Sequence, residues 1–479
     1  MKVIKNYIYN MGYQVLVLIT PLLTVPYVAR VLGAQGVGIN SYTNSWVTFF
    51  LLLGQMGISL YGNREIAYHR DNRQERSKIF WEVELLQGIT ICIAYVIFLV
   101  FLFEFSHEYR TYFIIQSLLI IAGGLDVSWY FMGMEDFKKT VFRNMVIKIA
   151  SIALIFTLVK QPTDLGKYIF LLGMSQVVGN LTLWPYLKQS ISFIKVFQLR
   201  PFSHFYPSLL LFIPTITTQV YLVVNRIMLG RLSDTVSVGQ FDYADKITKI
   251  VLAVVTATGQ VMLPHIAHKF ADGDVKGIRQ SLYNSFDFVT ALSVPMMFGL
   301  AAISNKFAPW FLGADFAPTA QIMAIESPVI VLIAWSNVTG TQYLMPVNRV
   351  KEYTISVTIG AIANIIFNLF LIEAYDANGA ALATVISEFV VTGMQIYFIR
   401  TTIKRRQLFR YTWKYLLSGA LMFIVVYRLN GIMNMSIQNL IAQMFLGILI
   451  YLGGLLIFKA PILYQAKELL KNRIQKSKV

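Results

Sequence analysis

Apolar runs of about twenty residues recur along this whole chain, and nothing constrains its fold more. Each is long enough to cross a hydrocarbon core of about 30 Å as an α-helix. Inside such a helix every backbone N–H and C=O finds its partner within the segment. One such run can be the buried helix of a soluble domain, but a series filling residues 13–458 cannot. Composition agrees, with 56% of the 479 residues hydrophobic and 14% charged. An ordinary soluble domain carries about a quarter charged residues. The expectation is an all-α polytopic membrane protein of fourteen spans. They are placed at 13–32, 39–61, 79–103, 111–133, 141–159, 168–187, 208–230, 239–262, 283–304, 319–342, 353–373, 378–399, 411–429 and 437–458.

A net charge of +17 on a soluble chain would suggest nucleic acid. Here the basic residues sit in short loops between apolar runs, so topology accounts for them and no nucleic-acid partner is expected. Clusters at Arg64–Lys78, Lys138–Arg143 and Arg400–Lys414 fall on the same side as both termini. Arg110, Lys160, Lys167, Arg231, Lys306 and Arg428 fall on the other. By the positive-inside bias both termini are expected in the cytoplasm. The first ten residues lead into a full span without a small-residue cleavage site, so no cleaved signal is expected. The tail 459–479 spaces apolar residues helically among lysines and reads as an amphipathic helix on the inner leaflet or as a solvated tail.

Enzymatic chemistry is not written in this chain. It has no HExxH, GxSxG, CxxC or Walker motif, and its one cysteine, Cys92, lies inside an apolar run. His265 and His268 stand at i, i+3 but without an identifiable carboxylate partner for a metal. No metal and no cofactor are expected, and any transport would run on a gradient.

A broken, charged apolar segment occurs twice. Pro21–Tyr42 carries two prolines and an arginine, breaks at Gly33 and Gly36, and becomes apolar again after Gly38. Pro214–Tyr243 is a weaker copy, pairing Tyr27 with Tyr221, Arg30 with Arg226, Gly33 with Gly230, and Gly38-x-x-x-Tyr42 with Gly239-x-x-x-Tyr243. Recurrence at matching places in two halves is the pattern of a transporter built from repeats.

Ionisable groups kept within spans face a cavity or one another. Arg30 and Arg226 lie at matched depth near the outer ends of their spans, where two guanidiniums can grip phosphate oxygens or snorkel to the surface. Asn225 and Gln219 flank the second arginine. Asn40, Tyr42 and Asn44 open span two, while Asp242, Tyr243, Asp245, Lys246 and Lys249 open span eight. Both sets suit sugar hydroxyls in an aqueous cavity, or stand above the membrane. Asp126 and Lys148 match in depth on consecutive spans and read as an ion pair or a coupling site. Glu326 and Glu388 are candidate proton or cation sites, and Asn364 and Asn368 form an i, i+4 polar pair. Pro21, Pro26, Pro214, Pro295 and Pro328 can kink their helices.

Four passages together carry a resemblance. PYVARVLGAQGVGINSY, DVSWYFMGMEDFKKTVFRN, the RIMLG and VGQFDYADKI passage, and NIIFNLF with NGAALATVISE resemble the Wzx-type polysaccharide flippases. These belong to the multidrug/oligosaccharidyl-lipid/polysaccharide exporter superfamily. The resemblance implies two six-helix bundles, 7–187 and 208–400, around a V-shaped cavity. It further implies a cytoplasmic linker at 188–207 and two added helices within 401–458. The function implied is alternating access that moves undecaprenyl-diphosphate-linked oligosaccharide to the outer leaflet of the bacterial cytoplasmic membrane. Membrane lipids, H+ or Na+, and polysaccharide polymerase or chain-length proteins are the implied partners. One departure is Asn225, where the family often has an acidic residue before the arginine, so a coupling role is not carried over there. Competing readings are a drug/cation antiporter, which would favour acidic cavity residues, and a membrane polymerase or ligase, which would need a large outer loop. A scaffold role in glycan assembly would leave the ionisable groups at matched depths unexplained.

Overall fold

The structure, a computed structural model, describes residues 2–105, 108–257, 268–270 and 272–463. His265 and most of the tail 459–479 lie outside these residues. Every regular element among the described residues is helical. Among the described residues eight helices are long and apolar enough to cross a membrane, or nine if Ala314–Glu326 and Val329–Leu344, bent by 44°, make one broken span.

The difference from fourteen has physical causes. Helix α1 runs Lys2–Gln55 and would be about 80 Å long if straight, far more than a bilayer core. It is broken at Gly33 (φ 66°, ψ 176°), a region that only glycine occupies without strain. The first two expected spans are thus two helical stretches meeting at a kink where the sequence places the break. A like kink at Asp376 (φ 49°, ψ −129°) separates 353–373 from 378–399. The sixth span shortens to Leu165–Leu181, 17 residues. The eighth, Thr235–Thr256, opens with four charged residues.

The chain divides into two compact units, Met1–Gly239 and Gln240–Val479. In the first, α1 packs on α3 (Arg73–Phe105), α4 (Arg110–Gln116), α5 (Leu118–Gly124), α7 (Phe137–Leu158) and α9 (Phe205–Leu232). Helix α2 (Ile58–Tyr68) packs on α3 and on α6 (Ser128–Gly133). Helix α8 (Leu165–Leu181) closes against α4, α5 and α7. An aromatic core of Phe80, Trp129, Tyr130 and Phe131 sits under α2 and α6, with Phe80 and Trp129 stacked at 5.5 Å.

The segment 188–207, between α8 and α9, is fastened to this unit. Arg76 Nη2 donates to the Ser190 carbonyl (2.8 Å), and the Ser192 N–H donates to Ser77 Oγ (2.9 Å). Trp81 Nε1 donates to the Ser192 carbonyl (3.1 Å). Buried Glu82 accepts the Arg200 N–H (2.8 Å) and meets His204 Nε2 (2.9 Å), whose Nδ1 meets the Tyr61 hydroxyl (2.7 Å).

The second unit holds most of α10 (Thr235–Thr256), then α11 (Val275–Leu312), α12 (Thr319–Glu326), α13 (Val329–Ser336) and α14 (Val350–Ile399). Pro328 sits at the bend between α12 and α13. A π-helical stretch follows at Asn337–Leu344. Helices α15 (Thr412–Ile432) and α16 (Ile437–Ile457) pack on each other and on α11 through Val294, Tyr415, Met422, Tyr451 and Leu455.

Candidate functional site

The two repeat copies meet backbone to backbone. A Cβ on Gly38 would stand 1.5 Å from the Thr235 carbonyl oxygen, and one on Gly239 would stand 2.2 Å from that of Ala34. Ala34 lies four residues before Gly38, and Thr235 lies four before Gly239. The contact is therefore reciprocal between the two glycine-bearing segments. Gly230 lies on the Tyr42 ring, where a Cβ would come within 2.3 Å of Cδ2.

Around this contact the expected cavity residues separate. Arg30 is exposed, three residues before the Gly33 break, and Gln219 is exposed on α9. Arg226 is half-buried, and Asn225 beside it is 4% exposed. Both arginines belong to the first unit, since α9 packs on α1. Tyr42 is 7% exposed and held edge-on by Tyr109 and Phe113, so it is a packed ring. Asn44 accepts the Thr48 hydroxyl (3.3 Å), and Asn40 is half-buried. Arg231, expected only as an outer-side charge, has its guanidinium 6.0 Å over the Trp46 ring.

The charged face of α10 neutralises itself. Lys246 pairs with Asp242 (2.5 Å) and Lys249 with Asp245 (2.7 Å), both at i, i+4. The aspartates are buried and the lysines exposed. Tyr243 is buried and stacks on Phe316 at 5.2 Å. What this helix can offer a polar solute is two lysine ammonium groups, not the tyrosine.

Glu326 on α12 and Glu388 on α14 are both buried. Asn368 Nδ2 donates to Asn364 Oδ1 (3.1 Å), both fully buried on the first half of α14. The Ser387 hydroxyl ties the second half back to the Gly360 carbonyl (2.9 Å). In the π-helical stretch Thr339 donates to Gln395 Oε1 (2.7 Å), a polar link no sequence signal announced.

The expected Asp126–Lys148 pair is corrected. Among the described residues no ion pair joins them. Asp126 lies in a break between α5 and α6, where its Oδ1 accepts the Ser128 N–H (2.9 Å). Depth matching fixed only the height of each group, not which helix face it occupied. The break frees backbone carbonyls that neighbouring helices satisfy. Asn180 Nδ2 donates to Ala122 O (2.7 Å) and Trp184 Nε1 to Leu125 O (3.0 Å). Gln87 Nε2 donates to Gly123 O (2.8 Å) and Asp126 O (3.1 Å). The charge acting on buried Glu84 is that of Asp126, a neighbour no spacing rule revealed.

A loop carboxylate and one in the first turn of α14, before the expected span 353–373, are pulled down. The Lys167 ammonium and the Lys160 and Gln161 N–H groups hold Asp164 to about 2. A hydrogen bond from Arg349 (2.8 Å) holds Glu352 below the usual range. His268 pairs with Asp272 (2.8 Å) at the surface, and no metal-holding cluster of His, Cys, Asp or Glu occurs among the described residues.

Comparison with known proteins fits this arrangement. Residues 3–270 match the profile of the family described as polysaccharide biosynthesis protein. A protein of Escherichia coli strain K12, provisionally named an O-antigen transporter, is 25% identical over 410 residues, 83% of this chain and 96% of that protein. The lipid II flippase MurJ of Bacillus subtilis strain 168 is 27% identical over 199 residues, 41% of this chain and 35% of that protein. In fold the chain is similar to a solved lipid II flippase MurJ in an inward closed conformation, with a TM-score of 0.75 at 17% identity over 96% of this chain and 100% of that one. With more than half its length matched, the chain belongs to the polysaccharide biosynthesis protein family, in keeping with its resemblance to the Wzx-type flippases.

Proposed function

We propose that this protein is a flippase for lipid-linked glycans. It moves undecaprenyl-diphosphate-linked oligosaccharide from the inner to the outer leaflet of the bacterial cytoplasmic membrane by alternating access, driven by an H+ or Na+ gradient. The observation that carries this is the family match over residues 3–270, together with similarity to a provisionally named O-antigen transporter along 96% of that protein. Physical chemistry supports it. A glycan-diphosphate head is too polar to cross hydrocarbon unaided, while its polyprenyl tail is at home there. Arg30 and Arg226 are the phosphate-binding candidates, with Gln219 and Asn225 as polar contacts in the same unit.

The test is reconstitution in liposomes carrying a short undecaprenyl-diphosphate-linked oligosaccharide on the inner leaflet, with a glycan-binding probe outside. Arrival is expected for wild type. Arg30→Ala and Arg226→Ala should each slow it about tenfold, as loss of a charge-assisted hydrogen bond does. Arrival that both variants leave unchanged would make the arginines interfacial anchors. No arrival under any ion gradient would overturn the reading and direct the next test to ethidium efflux.

A further inference from the structure

Gln87 on α3 reaches the break between α5 and α6 that carries Asp126, Glu84 one turn before it feels the Asp126 charge, and the described surroundings leave oxygens of Glu84 and Gln87 without donors. Glu84 is 8% exposed on α3, and its Oε2 is buried without a hydrogen-bond partner. One turn on, at i+3, Gln87 is 1% exposed. Its Nε2 is committed to the Gly123 and Asp126 carbonyls. Turning the amide over would set oxygen against oxygen, so Oε1 must be the atom left buried and unpartnered in the α3–α5 contact. The Asp126 carboxyl completes the group and is half-exposed.

Among the described residues no ion pair joins a base to Glu84 or Asp126. The charge acting on Glu84 is Asp126, a like charge. Of the other charged groups on the packed elements, Lys148 on α7 makes no ion pair with these carboxyls among the described residues, and the following are occupied elsewhere. Arg143 on α7 donates to Gly179 O (3.1 Å) and Asn180 Oδ1 (2.9 Å). Glu82 holds His204 and the Arg200 N–H, and Arg64 on α2 pairs with Glu65 (3.1 Å). A buried carboxyl beside a like charge does not ionise unless a cation joins it.

We propose that Glu84, Gln87 and Asp126 form a binding site for one monovalent cation, a proton or a sodium ion. Half-exposed Asp126 receives the ion, and buried Glu84 and the Gln87 carbonyl oxygen hold it. A sodium ion takes carboxylate and carboxamide oxygens directly. A proton bonds covalently to one carboxyl oxygen, whose O–H then donates to a free acceptor, and it leaves by the same route. The site stands on the two unpartnered buried oxygens and on the Gln87 contact with the Asp126 carbonyl. That its filling drives glycan movement rests on the flippase reading above.

The test uses full-length protein in lipid, with no glycan and no transport, so its failure is separate from failure of that reading. Infrared spectra follow the protonated-carboxyl band in wild type, Glu84→Gln and Asp126→Asn. One series varies pH in choline chloride, and another replaces choline with sodium at fixed pH. A band in wild type that titrates with pH and ignores sodium identifies the proton. A band that sodium removes identifies the sodium ion. Either response should vanish in Glu84→Gln and weaken about tenfold in cation affinity in Asp126→Asn. If Glu84→Gln does not fold, Asp126→Asn, altered at a half-exposed residue, decides alone. A band that neither pH nor sodium moves would overturn the proposal, since a permanently neutral structural acid behaves so. Identical titrations in wild type and Asp126→Asn would overturn it as well.

Discussion

Single side chains at the loops set how this protein answers to pH and to cutting. Asp164 is held to about 2 against an ordinary 3.8, chiefly by Lys167 and by two backbone donors. Because its folded value is depressed, its contribution is present above 3.8 and lost as pH falls through about 2. Hydrogen exchange at Lys160 and Gln161, referenced to neighbouring amides, should lose protection across that window in wild type. In Asp164→Asn the protection should be weaker and no longer change there. Glu82 is the other residue with wide consequences, since His204 and the Arg200 N–H both depend on it. Glu82→Ala should cost about 2 kcal/mol by leaving these groups without an acceptor. Limited trypsin digestion at Lys195 and Arg200 should speed up in step, and an unchanged rate would deny the 188–207 segment its dependence on this contact.

Helices here are defined by their interruptions. Gly33→Ala must place a Cβ at φ 66°, ψ 176°, at a cost of about 1–3 kcal/mol. Gly38→Ala is expected to be at least as damaging, about 2 kcal/mol or more, because its Cβ would lie 1.5 Å from a backbone carbonyl that cannot rotate away. Thermal unfolding of both variants in lipid tests this, with Gly453→Ala as control, since nothing lies within 4 Å of a Cβ there. The break at Asp126 follows a different logic. Gln87, Asn180 and Trp184 cap the carbonyls it frees, so the break is maintained by side chains from other helices.

For the molecule as a whole, the solvent for the exposed apolar surface is lipid. On α16, Ile441, Phe445, Ile448 and Leu452 are all exposed at helical spacing, as befits a face against acyl chains. Ile448→Arg should destabilise by about 3 kcal/mol, and Ile448→Leu should be neutral. Recovery of folded protein after reconstitution in lipid measures the difference. Equal recovery would mean that this face does not meet hydrocarbon.

The sequence by itself determined the class, the membrane-spanning character and the places of the breaks. Those follow from local physics, since an apolar run of span length must become a helix in a bilayer and Gly33 must interrupt one. Family resemblance was legible in short motifs for the same reason. Even the pairing of Gly38 with Gly239 was visible as a repeat, although that the two glycines touch was not. Side-chain partnerships required the tertiary structure. Depth along a helix is written in residue number, but facing direction depends on how neighbouring helices rotate and pack. Asp126 and Lys148 agree in depth and do not pair, Tyr42 is packed where a cavity wall was expected, and the lysines of α10 bind their own aspartates. The sequence around Glu84 and Gln87 names no partner for either. Only the folding of α3 against the broken α5–α6 segment puts them beside Asp126, because that contact joins residues about forty positions apart in the chain.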